Sequence, residues 1–192
     1  QFLDHVVANL HTLHSYHMEG MNDAEKTKFD SCRQYYQSIV AMNVPFDEES
    51  VSYWMQVMHS FEEGYYDGIG KGVCHGDLYY GNLLESHDGK VYLIDWEYAF
   101  YGYVIDDLSA LCTDDMTDPV IHHVVKAYWG ADRADMFLKL KQNIFIHELM
   151  HYLWCLMQAD KNPATAPLYH KRALLMKENL NRAASIFESQ GA

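Results

Sequence analysis

Two short strings in the middle of this 192-residue chain hold its most reactive side chains. The first is His75-Gly76-Asp77-Leu78-Tyr79-Tyr80-Gly81-Asn82. The second is Asp95-Trp96-Glu97, which closes the apolar run Val91-Tyr92-Leu93-Ile94 thirteen residues further on. A carboxylate, a neutral amide five residues later and a second carboxylate make a set of hard oxygen groups. Such a set suits transfer of a phosphoryl group to a hydroxyl. Asp77 would accept or orient the proton of the attacking hydroxyl. Asn82 and Asp95 would hold Mg2+ on the phosphates of ATP. Two protein ligands are enough, because Mg2+ keeps waters and takes phosphate oxygens.

These groups need elements that hold them in place. Residues 2–14 read as a helix, with Phe2, Val6, Leu10, Leu13 and His14 on one face. Residues 24–41 read as a second helix and 47–66 as a third, which Asp47 can cap, with Ser50 at the capping-box distance. The glycines at 68, 70 and 72 break the pattern. Short strands are expected at 72–75, 82–85 and 90–95, the last two joined by a turn at His87-Asp88-Gly89-Lys90. Helical periodicity resumes at 105–112, 119–129, 133–158 and 166–188, with Pro163 and Pro167 separating the last two. The expected fold is mainly α with a small β-hairpin island. A single domain over 1–192 would carry a catalytic loop at 73–84 and a metal-binding strand and loop at 90–98. Chemistry commonly sits on loops that rigid elements hold in place.

The first string has the spacing of the kinase catalytic loop: His, one residue, Asp, four residues, Asn. The strings Val73-Cys74-His75-Gly76-Asp77-Leu78, Gly81-Asn82-Leu83-Leu84 and Leu93-Ile94-Asp95-Trp96-Glu97-Tyr98 resemble the aminoglycoside phosphotransferase and choline/ethanolamine kinase group. The Tyr-rich stretch from Tyr98 to Tyr103, ending in Asp106-Asp107-Leu108, resembles bacterial-type choline kinases most. The resemblance implies that Asp107 and His75 brace the catalytic loop. It also matches Glu97, Tyr98, Asp114 and Trp154 to the acceptor pocket. Trp154 would offer its ring to a quaternary ammonium by cation–π attraction, worth roughly 0.5–2 kcal/mol. His151 stands where a second Trp is expected, and the Asp-Pro usual before the bracing Asp is absent.

The group's nucleotide site also needs an N-terminal lobe with a phosphate-covering loop and a strand lysine. Gly68, Gly70 and Gly72 lack the GxGxxG spacing, and the stretch Leu10-His11-Thr12-Leu13-His14 resembles the Leu-His ending of the first helix after the hinge. The chain is therefore expected to be the C-terminal lobe of a protein-kinase-like fold, with the N-terminal lobe absent. The start at Gln1 rather than Met also points to a piece of a longer chain. Alone it would be inactive or nearly so. The expected reaction is phosphorylation of a small cationic alcohol, choline first and ethanolamine second. An aminoglycoside is the alternative acceptor.

One other motif competes. His147-Glu148-Leu149-Met150-His151 matches HExxH, in which two histidines one helical turn apart bind Zn2+ and the Glu activates water. A zinc metallopeptidase is thus a reading of another class, with His170 and Glu178 as possible third ligands. A non-catalytic pseudokinase fragment is another. Net charge is −13, from 27 acids against 14 Lys and Arg. A chain this acidic is expected to avoid nucleic acid and anionic membranes. No apolar run reaches the ~18 residues of a membrane span. The four scattered cysteines include no CxxC pair and read as reduced thiols. With no basic and apolar leader at the start, a cytoplasmic location is expected.

Overall fold

The computed structural model describes residues 2–17, 26–113 and 117–189. It is mostly helical, with two small antiparallel sheets. The chain forms two compact units, one from residues 1–25 and 66–144, the other from 26–65 and 145–192.

The first unit opens with α1 (Phe2–His14), whose Val6, Val7, Leu10 and His14 are buried. Next come β1 (Lys71–Cys74), β2 (Leu83–Glu85), β3 (Val91–Leu93) and β4 (Phe100–Tyr103). Strands β2 and β3 form the expected hairpin, with Leu84 opposite Tyr92. Strand β1 pairs with β4, placing Gly72 opposite Gly102 and Cys74 opposite Phe100. Sequence periodicity missed β4, because Gly102 breaks a run only four residues long. α4 (Ile105–Cys112) and α5 (Asp118–Trp129) follow, and α5 stops at Gly130 in the left-handed conformation. Leu78, Ile105, Leu108, Leu111 and Ile121 are among the largest fully buried side chains here. The end of α1 lies directly on β1. A Cβ added to Gly72 would stand 2.1 Å from the carbonyl oxygen of His14.

The second unit contains α2 (Lys28–Ala41), α3 (Glu48–Ser60), the C-terminal part of α6 (Ala134–Lys161) and α7 (Ala166–Ser189). Thr27 caps α2 in a reciprocal box with Asp30, so the helix starts at Lys28, and residue 24 of the expected start lies outside the described residues. Asp47 caps α3 by accepting from the Ser50 amide at 3.1 Å, and Lys177 on α7 donates to its other oxygen at 2.6 Å. These bonds hold the Asp47 carboxyl down at about 2, the Lys177 bond first among them. α3 was expected to reach residue 66 but ends at Ser60. From there the backbone turns with i to i+3 bonds, Phe61 to Met58 and Glu62 to His59. Trp54 packs edge-on against Tyr152 at 5.3 Å and donates from its indole nitrogen to Asn181.

Candidate active site

Strand β1 delivers the chain into His75, Gly76 and Asp77. Gly76 has φ +83°, a conformation that favours glycine, and a Cβ there would lie 2.2 Å from the Tyr98 carbonyl oxygen. The loop therefore passes against the segment that follows Asp95. One carboxylate holds the start of this loop. Asp107, in the first turn of α4 and 1% exposed, accepts from the amides of His75 at 2.7 Å and Gly76 at 3.0 Å. A buried carboxylate needs such donors, since burial of an unpaired charge is costly.

Asn82 ends a short 3₁₀ turn, Tyr80–Asn82, and is 4% exposed. Its Nδ2 donates to the Asp77 carbonyl at 2.8 Å and to Asp77 Oδ2 at 3.1 Å. Both amide hydrogens are thereby directed at Asp77, and Oδ1 is left as the oxygen for a metal. The Asn82 backbone carbonyl accepts from Ile94, one residue before Asp95.

His75 ties the two segments together. Its Nε2 donates to the Ile94 carbonyl at 2.8 Å, and its Nδ1 faces the Asp77 amide at 3.3 Å. Since the carbonyl can only accept, Nε2 carries the proton. Its ring is 4.7 Å from that of Trp96. Asp95 itself has φ 64°, uncommon for a residue with a side chain, and is exposed. The backbone bond to Asn82 and the His75 bond, both on Ile94, stand immediately before this turn.

The first unit thus contains Asp77, Asn82, Asp95, His75, Asp107, Glu97 and Tyr98. The structure brings the first five into one hydrogen-bonded and chain-linked constellation. Glu97 and Tyr98 lie two and three residues after Asp95 and are exposed, Tyr98 at 60%. Trp154 belongs to the second unit, where its ring meets Tyr169 edge-on at 5.4 Å. Asp114 lies outside the described residues.

The oxygen set suits a hard divalent cation. Asn82 Oδ1 and the Asp95 carboxylate are the oxygens of this set that could hold such a cation. HExxH presents a different picture. The rings of His147 and His151 are 4.4 Å apart, but Lys28 Nζ lies 3.0 Å from His147 Nδ1 and donates to it. Burial, and then the Lys28 charge, hold both imidazoles down, His151 to about 4. Among the described residues they belong to no cluster of three metal-ligating side chains. The four cysteines are free and buried, and burial pushes the Cys155 thiol up to about 11. Among the described residues no helix is long and apolar enough to cross a membrane.

Two further residues reach this constellation that sequence reasoning had not assigned to it. His14 Nε2 stands 3.1 Å from Asp107 Oδ2, and His14 Nδ1 stands 2.7 Å from the Tyr128 hydroxyl. Only the stretch Leu10-His11-Thr12-Leu13-His14 gave any signal of the first, without singling out His14, and nothing local marks Tyr128.

A choline/ethanolamine kinase family model matches residues 1–153. Among solved structures, this chain is similar to a choline/ethanolamine kinase family protein from Mesorhizobium loti. The TM-score is 0.75 at 16% identity, over 96% of this chain and 65% of that one. A choline kinase from Streptococcus pneumoniae gives 0.71 at 20% identity, over 95% and 63% of the two chains. An amicoumacin kinase in complex with AMP-PNP, Ca2+ and its ligand gives 0.59 at 15% identity, over 93% and 59%. The chain spans less than two thirds of each of these proteins.

Proposed function

The chain belongs to the choline/ethanolamine kinase family, and on that premise we propose that it is the catalytic and acceptor-binding part of an ATP- and Mg2+-dependent small-molecule kinase. The proposed reaction moves the γ-phosphoryl group to the hydroxyl of a small amino alcohol, with choline as the first candidate. Ethanolamine is the second and an aminoglycoside the alternative. The observation that carries the reading is the Asn82 amide, which donates to both the carbonyl and the carboxylate of Asp77. It aims the base and the metal-facing oxygen from one short loop.

Asp77 is the group that takes or orients the proton of the attacking hydroxyl. Its carboxylate already accepts one hydrogen bond from Asn82, which fixes its rotamer and leaves its other oxygen for the alcohol. Asn82 Oδ1 and Asp95 are the ligands proposed for Mg2+, which would neutralise charge on the phosphates and line them up for displacement. His75 and Asp107 keep the loop and the Asp95 turn in register and touch no reacting atom. Glu97, Tyr98, Asp114 and Trp154 are the proposed acceptor contacts, with acid and aromatic faces suited to a cationic substrate. The phosphate-covering lobe is proposed to come from the remainder of a longer chain, so the fragment alone would turn over little or not at all.

The test uses the parent chain with that lobe present. ADP release from Mg-ATP would be followed against choline, ethanolamine and an aminoglycoside. Choline-dependent turnover that Asp77→Asn lowers by at least about 100-fold is expected, the scale of a lost acid–base or positioning group. A near-wild-type rate in Asp77→Asn would overturn the assignment of the base. Turnover with the aminoglycoside alone would overturn the acceptor.

A further inference from the structure

The loop that carries Asp77 is held by Asp107, and Asp107 is held in turn by a chain of groups from outside the loop. We propose that Tyr128, on α5, is a positioning residue of the catalytic loop that acts through His14 and Asp107. The inference rests on the functional reading above for its kinetic consequence, but its structural content stands apart from that reading.

The geometry is continuous. The His75 and Gly76 amides donate to the two oxygens of Asp107 at 2.7 and 3.0 Å. His14 Nε2 meets the same carboxylate at 3.1 Å, with both side chains almost fully buried. An ionised carboxylate only accepts, so His14 carries its proton on Nε2. When the ring is neutral, Nδ1 is then an acceptor, and the Tyr128 hydroxyl at 2.7 Å is its donor. Tyr128 is suited to that role, because burial, and then the nearby Cys74 and Asp107, push its phenol far above its ordinary range. It keeps its proton throughout the working pH range. Its ring is itself fixed, edge-on to His11 at 5.4 Å and to His14 at 5.6 Å.

The direction of control follows from what each group can do. The Asp107 carboxylate already favours the Nε2–H tautomer, which leaves the Nδ1 lone pair of a neutral ring in need of a donor. The tautomer with the proton on Nδ1 turns a lone pair toward Asp107 and repels it. The Tyr128 hydroxyl satisfies Nδ1 and so holds the ring at the angle that keeps Nε2–H on the carboxylate. The carboxylate in turn keeps both loop amides, and with them the rotation of the loop that aims Asp77. A bond at the far end of the chain is thereby read out at the reacting group (positioning without contact with substrate).

A metal is the obvious alternative occupant, because ligand atoms of His14, Cys74 and Asp107 all lie within 4.8 Å of one another. Every one of them is engaged. His14 uses both nitrogens and Asp107 both oxygens as described. Cys74 Sγ lies 3.6–3.7 Å from the carbonyl oxygens of Gly72, Gly102 and Tyr103, in reach as an S–H donor. A cation would have to break this network to bind, so the cluster is a brace.

The experiment compares wild-type and Tyr128→Phe parent chain, which differ by one oxygen. Amide hydrogen exchange is read at His75 and Gly76, with Val73 and Tyr101 of the β1–β4 ladder as internal reference. Exchange at 75 and 76 is expected to accelerate about tenfold or more with the reference amides unchanged. The same variant is expected to lose five- to tenfold in kcat, with KM for ATP within twofold. Unchanged exchange at 75 and 76 would overturn the proposal. So would acceleration that is equal at all four sites, which marks a general loss of stability. Zinc bound to the purified wild-type chain and removed by Cys74→Ser would overturn it in favour of a metal site. If no acceptor supports turnover, the functional reading fails while the exchange comparison still decides this one.

Discussion

Replacing Asp107 by Asn tests whether the charge of this side chain, beyond its shape, holds the catalytic loop. The carboxylate is 1% exposed and faces three donors: the His75 amide, the Gly76 amide and His14 Nε2. Asn has nearly the same volume but only one acceptor oxygen. Its NH2 must then face one of those donors. The lost charge-assisted bond is worth about 1.5–3 kcal/mol, and the donor left buried without a partner costs about 1–3 kcal/mol more. The sum, about 2.5–6 kcal/mol, brackets the roughly 3–5 kcal/mol that removing one partner from a buried ionic arrangement costs, and that narrower range sets the expectation. With a urea slope of about 2 kcal/mol/M, the unfolding midpoint should fall by about 1.5–2.5 M. Urea titration of the parent chain, followed by tryptophan fluorescence and far-UV circular dichroism, measures this directly. Asp88→Asn is the control. Asp88 lies at an exposed turn and pairs with Lys90 at 2.8 Å, an arrangement water screens, so its midpoint should not move. A fall of less than about 0.5 M in Asp107→Asn, at unchanged slope, would refute the argument that the charge braces the loop.

Gly76→Ala is expected to abolish turnover of the parent enzyme while leaving it folded. Its φ is +83° and the new methyl would meet the Tyr98 carbonyl oxygen at 2.2 Å, so the loop must re-form away from Asp95. Activity within tenfold of wild type would contradict the close passage of these two segments. His151 gives a pH signature in the second unit. Folded, it takes its proton near pH 4, because burial and then the Lys28 and Arg172 charges oppose the imidazolium. The unfolded chain takes that proton near pH 6.5, so between these values the unfolded state binds more protons and stability falls as pH drops. His147 acts in the same direction. His151→Gln should flatten the decline between pH 6.5 and 4 by about 1–3 kcal/mol, the range allowing for partial contact with water. Urea midpoints that decline in parallel for the two proteins would exclude His151 as the cause.

What could be read from the sequence, and what could not, divides by the range of the interactions involved. α5 and α7 are legible because each has its own amphipathic stripe and its own start or stop signal, such as Gly130 after α5. The overlong third helix shows where that logic fails. Met58, Phe61 and Tyr65 continue a helical spacing and all three are buried, yet the backbone has already turned after Ser60. Burial preserved the pattern while the hydrogen bonds changed. Strand β4 fails for the opposite reason. Its partner β1 is some thirty residues away, and four residues with a central Gly102 carry no alternation of their own.

The same division runs through the candidate site. Asp77 and Asn82 lie five residues apart on one loop, and Asp95 ends the next strand, so their chemistry is written locally. Their orientation is not. It depends on Asp107, 32 residues beyond His75, on His14, 93 residues before Asp107, and on Tyr128, 114 residues beyond His14. No window of sequence contains two members of that chain with a recognisable spacing. Only the meeting of α1, β1, α4 and α5 brings them to bonding distance. A single sequence can therefore name the groups proposed to move a phosphoryl group and, by resemblance, the Asp107 and His75 brace, while remaining silent about the His14 and Tyr128 that hold Asp107. It follows that substitutions in α1 and α5, far from the loop in sequence, should affect turnover through the same two amides, those of His75 and Gly76. A survey of variants along these helices should find the kinetic effect concentrated at His14 and Tyr128 and absent from exposed neighbours such as Thr12 and Lys126.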